Sequence, residues 1–516
     1  MNTRYDYVIV GAGSAGCTLA SRLSEDPDVR VCLIEAGPAD TDPNTRVPLF
    51  GGRLLRTHLD WDYDSHNEPA LYQRRIYLPR GRVVGGSSVL NGMIYIRGNA
   101  LDYDGWRQPG WSYAEMLPYF LRAEDNERGP SRYHATGGPL AVSDGRANSP
   151  GATAFVAAAE EAGFARTDDF NGDRQDGFGR YQVTQRDGER CSSADAYLSP
   201  ASRRPNLTVL THVQVHRVMF DGVWAIGVAG RRLDEAVELR AEREVILCAG
   251  AYNSPQLLLL SGVGAADELA ALGISVVADL PEVGRNLQDH PSVNLVWTHA
   301  RPVSLFAAGE PDAVREYAEH RRGPLASNVP EAGGFIRSDP ALPAPDLQYH
   351  AAPTMLVDGG LAVPTGHGLS FGPCLLTPRS RGSVTLTSAA PTAKPRIRHA
   401  YYGDDTDLDV MVSGVRTALE ISRQPALADY AETPFRLPAS DRDQDLREYI
   451  RLNTQSLYHP SGTCALGTVV DAELRVRGVR CLRVVDTSVM PVVGRGNTNA
   501  PVIALAERAA DLIRGG

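Results

Sequence analysis

Gly11, Gly13 and Gly16, in the spacing G-x-G-x-x-G, are the first residues of the chain whose arrangement can do chemistry. Gly11 permits a tight turn, Gly13 lets backbone approach a pyrophosphate, and Gly16 allows a helix to pack closely on a strand. The helix N-terminus at Ser14 and Ala15 adds free N–H groups and positive dipole. Glu35, nineteen residues after Gly16, is placed to accept ribose hydroxyls, and an acid there makes NADP the least fitting ligand. The fingerprint leaves NAD and FAD both open. A second small-residue stretch, residues 81–92 (GRVVGGSSVLNG), can bring backbone N–H groups against a phosphate or a ring.

The elements that must position these residues follow from the pattern. Residues 5–10 (YDYVIV) read as a buried parallel strand, the run after Gly16 (CTLASRLSED) as a helix, and residues 29–35 (VRVCLIE) as a second strand. Right-handed crossover makes the two strands parallel. Residues 38–79 are rich in Pro, Gly, Arg and Asp and read as extended loop. Strands are expected at 207–218, 225–229 and 242–249, and a helix that opens at Ser254-Pro255 and closes at Ser261-Gly262. Between about 289 and 441 the strands carry polar residues, as at 347–351 (LQYHA) and 382–386 (GSVTL), which suggests an antiparallel sheet with one solvated or cavity-facing side. A strand at 482–486 and a helix at 501–514 return to the α/β pattern.

The chain of 516 residues is long enough for two domains. Its 52 Lys and Arg against 62 Asp and Glu give a net charge of −10, which argues against nucleic acid as a partner and favours a small molecule. The seven cysteines are scattered and never form C-x-x-C, so neither a disulfide framework nor a metal site is expected. The start MNTRYDYVIVGAG lacks the apolar region of a signal peptide, and no apolar run reaches the ~18 residues of a membrane span. A cytoplasmic protein, monomer or homodimer, is the expectation.

Position by position, residues 81–92 resemble the signature of the glucose-methanol-choline (GMC) oxidoreductases, a family of FAD enzymes that oxidise alcohols. The resemblance continues through 250–256 (GAYNSPQ) with 261–264 (SGVG), 284–290 (GRNLQDH), 458–463 (YHPSGT) and 497–501 (NTNAP). Residues 94–106 (IYIRGNALDYDGW) look most like the choline-dehydrogenase branch. The resemblance implies an α/β (α+β overall) fold: a Rossmann-like FAD-binding domain from residues 1–150, 200–290 and 455–516, and an inserted substrate-binding domain from 151–199 and 291–454, built on an antiparallel sheet with helices.

By the same resemblance His459 takes the hydroxyl proton, Asn499 holds the substrate oxygen opposite it, and hydride passes to flavin N5. Imidazole suits the task because it supplies a neutral base near pH 7. Asn497 is the neighbouring alternative, read as a turn or helix-start residue, and His290 is assigned a structural or flavin-adjacent role. Val215 is expected to meet the adenine through its backbone with Trp61 nearby, and Asn91, Gly92, Met93 and Ile94 to run beside the isoalloxazine. Ala36, Arg82, Val84, Gly86, Ser87, Ala249, Gly250, Asp486 and Pro501 complete the expected cofactor contacts, with Asn499 counted among them as well. Glu331 and Tyr458 are the expected substrate contacts, Glu331 as a carboxylate facing a cationic headgroup with aromatic faces adding attraction. Arg190 is expected to order the inserted domain. Some members attach FAD through a histidine at the position that Leu90 occupies, so a noncovalent FAD is expected. The electron acceptor, whether oxygen, quinone or another, is left open. The alternative within the family is an FAD-containing lyase that cleaves cyanohydrins without redox turnover, and outside it a NAD-linked Rossmann enzyme.

Overall fold

The computed structural model describes residues 3–515, so the outermost ends of the expected flavin-domain segments, residues 1–2 and 516, lie outside the described residues. Strand β1 (Arg4–Val10), helix α1 (Ser14–Leu23) and strand β2 (Val31–Ile34) form the first unit. Strands β3 (Leu207–Leu210), β4 (Val213–Asp221), β5 (Trp224–Arg232) and β6 (Glu235–Leu247) and helix α2 (Gly250–Leu260) follow much later, and β7 (Leu482–Val484) with α3 (Asn499–Arg514) later still. They build one seven-stranded sheet in the order β3-β2-β1-β6-β5-β4, with β7 also on β6. The β1 pairings with β2 and β6, like those of β3 with β2 and β7 with β6, are parallel, while β4, β5 and β6 pair antiparallel. The long β6 serves both halves: its C-terminal residues Val245–Leu247 lie beside β1 and β7, and its first half beside β5. β2 is buried throughout, which matches its continuous apolar sequence.

A second, eight-stranded antiparallel sheet orders its main strands Thr433–Arg436, Leu295–Thr298, Gly368–Leu375, Leu347–Ala352, Ala332–Ile336 and Gly177–Arg180. The helices Pro150–Glu161 and Asp405–Ser422 pack on one face, burying Phe155, Leu408, Met411 and Val415 with Leu347, Tyr349 and Ala351 of the sheet. Alternation along Leu347–Ala352 turns Gln348 and His350 to the opposite face. Among the described residues no helix is long and apolar enough to cross a membrane, and no group of three or more His, Cys, Asp or Glu is arranged to hold a metal ion.

Local structure departs from the sequence pattern at identifiable points. The strand expected at 207–218 is two strands, because His212 takes a left-handed φ of 58° and the chain turns beside Glu35 and Gly37 to a different edge of the sheet. The segment 382–386 contributes Ser383–Thr385 to a separate two-stranded hairpin with Arg396–Arg398, not to the large sheet. Helix α2 starts at Gly250 rather than at Ser254, so Pro255 falls inside it. A proline there removes the N–H that would satisfy the carbonyl four residues earlier, and Thr463 Oγ1 donates to that Ala251 carbonyl at 2.7 Å instead. The sequence Tyr458–Thr463 is thereby tied to the parallel half of the molecule.

The Thr463→Val substitution is expected to leave a buried carbonyl without a donor and to cost about 1–3 kcal/mol, measured as a shift of the urea unfolding midpoint, while Thr463→Ser retains most of the stability.

Candidate active site

The glycines of the first turn fix how β1 meets α1. Gly11 has φ +101°, and a Cβ there would stand 2.5 Å from the Cys248 carbonyl oxygen. A Cβ on Gly16 would stand 1.9 Å from the Gly11 carbonyl oxygen, so close packing of α1 on its own turn requires glycine at both. The turn opens into a cavity of about 410 Å³ that runs from Glu35 and Val215 to His459. At the nucleotide end the buried Glu35 carboxylate accepts from the N–H groups of Ala12 and Gly37, both at about 3 Å. Burial raises its pKa to about 7 against the pull of those two donors. Asp486 accepts from Gly250 N, Ser254 Oγ and Ser488 N, and so pins the start of α2 at the cavity edge.

The N-termini of α1 and α3 reach the cavity together, joined by Ser14 Oγ donating to Asn499 Oδ1 at 2.7 Å. Neither start has a side-chain cap, so two sets of helix N–H groups remain for an anionic group. Close-approach glycines, paired helix starts and a ribose-facing acid fit the pyrophosphate and ribose of a dinucleotide.

Most sequence-expected cofactor residues line this cavity: Gly11, Gly13, Ser14, Ala15, Glu35, Ala36, Trp61, Gly86, Ser87, Asn91, Gly92, Met93, Ile94, Val215, Ala249, Gly250, Asp486 and Asn499. Four do not. Gly16 lies under the turn, Val84 donates its N–H to the Pro38 carbonyl, Pro501 is buried in the first turn of α3, and Arg82 lies over the Trp61 ring, 5.2 Å from its centroid, behind the wall. Arg190 is buried and donates to the carbonyls of Thr45, Ser88 and Asn91 and to Asn91 Oδ1, which fixes the loop that carries Asn91.

At the other end stands His459, only 8% exposed. Asp289 Oδ1 accepts its backbone N–H, while Asp289 Oδ2 accepts from Tyr401 and Ser456. The preceding Tyr458 lines the cavity with a left-handed φ of 68°, a strained conformation held by this clamp. His459 Nδ1 lies 2.9 Å from His290 Nδ1, and His290 Nε2 lies 3.2 Å from the Leu376 carbonyl oxygen. A carbonyl only accepts, so His290 carries its proton on Nε2 and offers a lone pair at Nδ1. His459 must then donate from Nδ1, which leaves its Nε2 as an acceptor.

A second chain reaches the same atom from the opposite side. Tyr181 Oη donates to the Tyr349 carbonyl at 2.5 Å and accepts from Gln348 Nε2 at 3.1 Å. Gln348 Nε2 also donates to Asn497 Oδ1 at 3.1 Å, which turns the Asn497 amide nitrogen toward His459 Nε2, 3.3 Å away. Both chains end on a backbone carbonyl, and both require a lone pair on His459 Nε2.

This arrangement corrects two expectations. Asn497, not Asn499, stands beside His459: α3 begins at Asn499, whose side chain turns to Ser14, while Asn497 precedes the helix and faces the histidine. Glu331 does not line the cavity. Its carboxylate is buried and accepts from Ser149 N, Ser149 Oγ and Ser327 Oγ, with Arg180 at 3.4 Å. His350 was missed by sequence reasoning; it lines the cavity with a buried Nε2 that has no partner. Its signal was the polar alternation of Gln348 and His350 in LQYHAA.

Burial pushes His459 well below the ordinary histidine range, reinforced by His290, His350 and the Arg80 cation. Burial likewise lowers His290 to about 4, and burial together with His290 lowers His350 to about 3. All three imidazoles are therefore neutral at pH 7.

Two family profiles, both described as GMC oxidoreductase, match residues 5–292 and 378–506. The chain is 46% identical to an uncharacterized GMC-type oxidoreductase of Mycobacterium tuberculosis, with 100% of both chains covered. It is 43% identical to an alcohol dehydrogenase [acceptor] of Pseudomonas putida, covering 99% of this chain and 95% of that one, and 43% identical to the mitochondrial choline dehydrogenase of Homo sapiens, covering 99% and 90%. Its fold matches the crystal structure of pyridoxine 4-oxidase from Mesorbium loti with a TM-score of 0.91 at 32% identity over 99% of each chain.

The buried neutral imidazoles make stability depend on pH with a definite sign. The unfolded chain takes up a proton on His350 below about pH 6.5, whereas the folded one does so only near 3. The contribution is thus fully present above pH 6.5 and is lost as pH falls. Relative to the His350→Gln variant, the protein is expected to lose about 1–2 kcal/mol of stability between pH 6.5 and 5, read from urea unfolding of both proteins at the two pH values.

Proposed function

The chain belongs to the GMC oxidoreductase family, and from that premise we propose that this FAD-dependent oxidoreductase converts an alcohol CH–OH group to a carbonyl, with His459 as base and Asn497 as the partner of the substrate oxygen. The observation that carries this reading is the fixed acceptor character of His459 Nε2 in a buried cavity shared with the dinucleotide turn. Bound FAD would supply the acceptor for the carbon-bound hydrogen and its electron pair.

The remaining work falls to the protein. An alcohol hydroxyl that enters between His459 and Asn497 replaces their mutual 3.3 Å hydrogen bond, donating its proton to His459 Nε2 and accepting from Asn497 Nδ2. The Asn497 amide is already oriented by Gln348, so no reorganisation is needed as negative charge grows on the oxygen. When His459 becomes cationic, its Nδ1–H still points at the His290 lone pair, and that hydrogen bond strengthens. His290 is a positioning residue in this reading: it holds the tautomer and the ring plane, with the two rings nearly perpendicular at 88°. Burial excludes water from the base and keeps it neutral before substrate arrives.

The FAD is held without a covalent bond, a reading supported by Leu90 on the cavity wall at the position where the covalent pattern has histidine. Acid precipitation is expected to release all of the yellow cofactor into the supernatant; colour retained in the washed pellet contradicts this.

Anaerobic reduction of the flavin by alcohol tests the base and its partner. His459→Gln is expected to slow reduction by about 100- to 10,000-fold, and Asn497→Ala by about 10-fold or more. Asn499→Ala is expected instead to weaken FAD retention by about 10-fold, with reduction of the FAD-loaded variant close to that of the parent. Rapid-mixing absorbance for the rates and FAD titration of the stripped proteins separate the two asparagines.

A further inference from the structure

Resting on the alcohol-oxidation reading above, we propose that the substrate is an uncharged alcohol with an apolar body, and that this site discriminates against quaternary-ammonium alcohols such as choline. The argument starts from where the carboxylates are. Among the described residues, the cavity wall carries two, Glu35 and Asp486, and both belong to the nucleotide end, where they accept from backbone N–H groups. The cavity shared with His459 is also lined by the uncharged Leu90, Pro330, Leu356, Leu457, Tyr458 and Gln455, so no carboxylate stands at this end.

Glu331 adjoins Pro330 of this wall, yet its carboxylate is turned inward. Three donors from Ser149 and Ser327 and the Arg180 cation use both of its oxygens, and its side chain is 4% exposed. Turning it into the cavity would leave Arg180 without its ion-pair partner and the two serine hydroxyls without acceptors, so it is not a reserve counterion.

The one Lys or Arg on the cavity wall among the described residues is Arg80, and it lies on the histidine side. It donates to the Tyr458 carbonyl, and its charge is felt at His459. An ammonium headgroup entering here meets a cation, the Tyr458 ring and a Tyr252 ring already faced by Arg80 at 5.9 Å, with no anion to offset its desolvation. A neutral alcohol loses nothing comparable on entry, and its body is matched by the leucines and proline. His350 Nε2, buried and without a partner, offers one polar contact to such a substrate.

Choline and 3,3-dimethylbutan-1-ol share a shape and differ in charge. Anaerobic mixing of the FAD-loaded enzyme with each is expected to give a second-order rate constant for flavin reduction about a hundredfold higher for the neutral alcohol, the size of one poorly screened like-charge contact. Equal rates, or faster reduction by choline or by the anion 4-hydroxybutanoate, overturn the proposal. If none of the three bleaches the flavin although dithionite does, the alcohol-oxidation reading has failed, and the charge preference is read from binding alone by the perturbation of the oxidised flavin spectrum. Tighter binding of the neutral alcohol then upholds the proposal and tighter binding of either ion overturns it. Glu331→Gln is expected to leave the neutral-to-choline ratio unchanged within about twofold, whatever it does to stability; a tenfold shift against choline would show that this carboxylate serves the headgroup.

Discussion

A carbonyl oxygen cannot donate a hydrogen bond, and the chemistry of this molecule hangs on two of them. The Leu376 carbonyl fixes the proton of His290, and through it that of His459; the Tyr349 carbonyl fixes the hydroxyl of Tyr181, and through it the amides of Gln348 and Asn497. The chains are independent in sequence and meet at His459 Nε2. Either alone would give the imidazole a preferred tautomer. Together they give an imidazole whose lone pair and facing amide donor are set before any ligand arrives, which is the condition electrostatic preorganisation needs.

That constraint explains why the two sheets must be brought together. The dinucleotide turn lies at the carboxyl end of β1, where a parallel sheet offers helix starts and free N–H groups. The orienting carbonyls and Gln348 lie on or beside adjoining antiparallel strands, Leu347–Ala352 and Gly368–Leu375, where alternate residues face opposite ways and a polar pair can be aimed at one point. His459 is reached from both. Thr463 ties its segment to the Ala251 carbonyl of α2, and Asp289, which leads into the second sheet, clamps its backbone. The strained φ of Tyr458 is sustained by that double attachment.

Legibility in the sequence followed the range of the interactions. The turn at Gly11–Gly16, the two flanking strands and Glu35 were readable because their geometry is closed within about thirty residues and depends on glycine where no other residue fits. The antiparallel character of the second sheet was readable from polar residues such as those at 347–351, although 382–386 lies in a separate hairpin. The start of α2 was not, since Pro255 inside a helix is tolerated only through a hydroxyl two hundred residues away. The choice between Asn497 and Asn499 was beyond sequence for a related reason. The two are alike and two positions apart, and what separates them is whether the residue precedes the first turn of α3 or belongs to it. Glu331 failed more instructively: a buried acid is defined by its donors, and Ser149 and Arg180 come from a different part of the chain.

The separation of these roles has a consequence for how the site can vary. In the proposed reaction, proton abstraction depends on a lone pair set by backbone carbonyls, whose acceptor character no side-chain substitution removes. Charge selection depends on which carboxylates reach the cavity, and here Glu331 has been drawn into a structural knot with Ser149, Ser327 and Arg180. The first property resists change, because altering Gln348 or His290 disturbs a buried chain in which each member satisfies the next. The second is adjustable residue by residue along Leu90, Pro330, Leu356 and Leu457, which touch the cavity without holding the base. On the proposed reading, one catalytic device can therefore serve alcohols of different charge and shape, with the reacting atoms held by the sheets and the choice of substrate left to the wall.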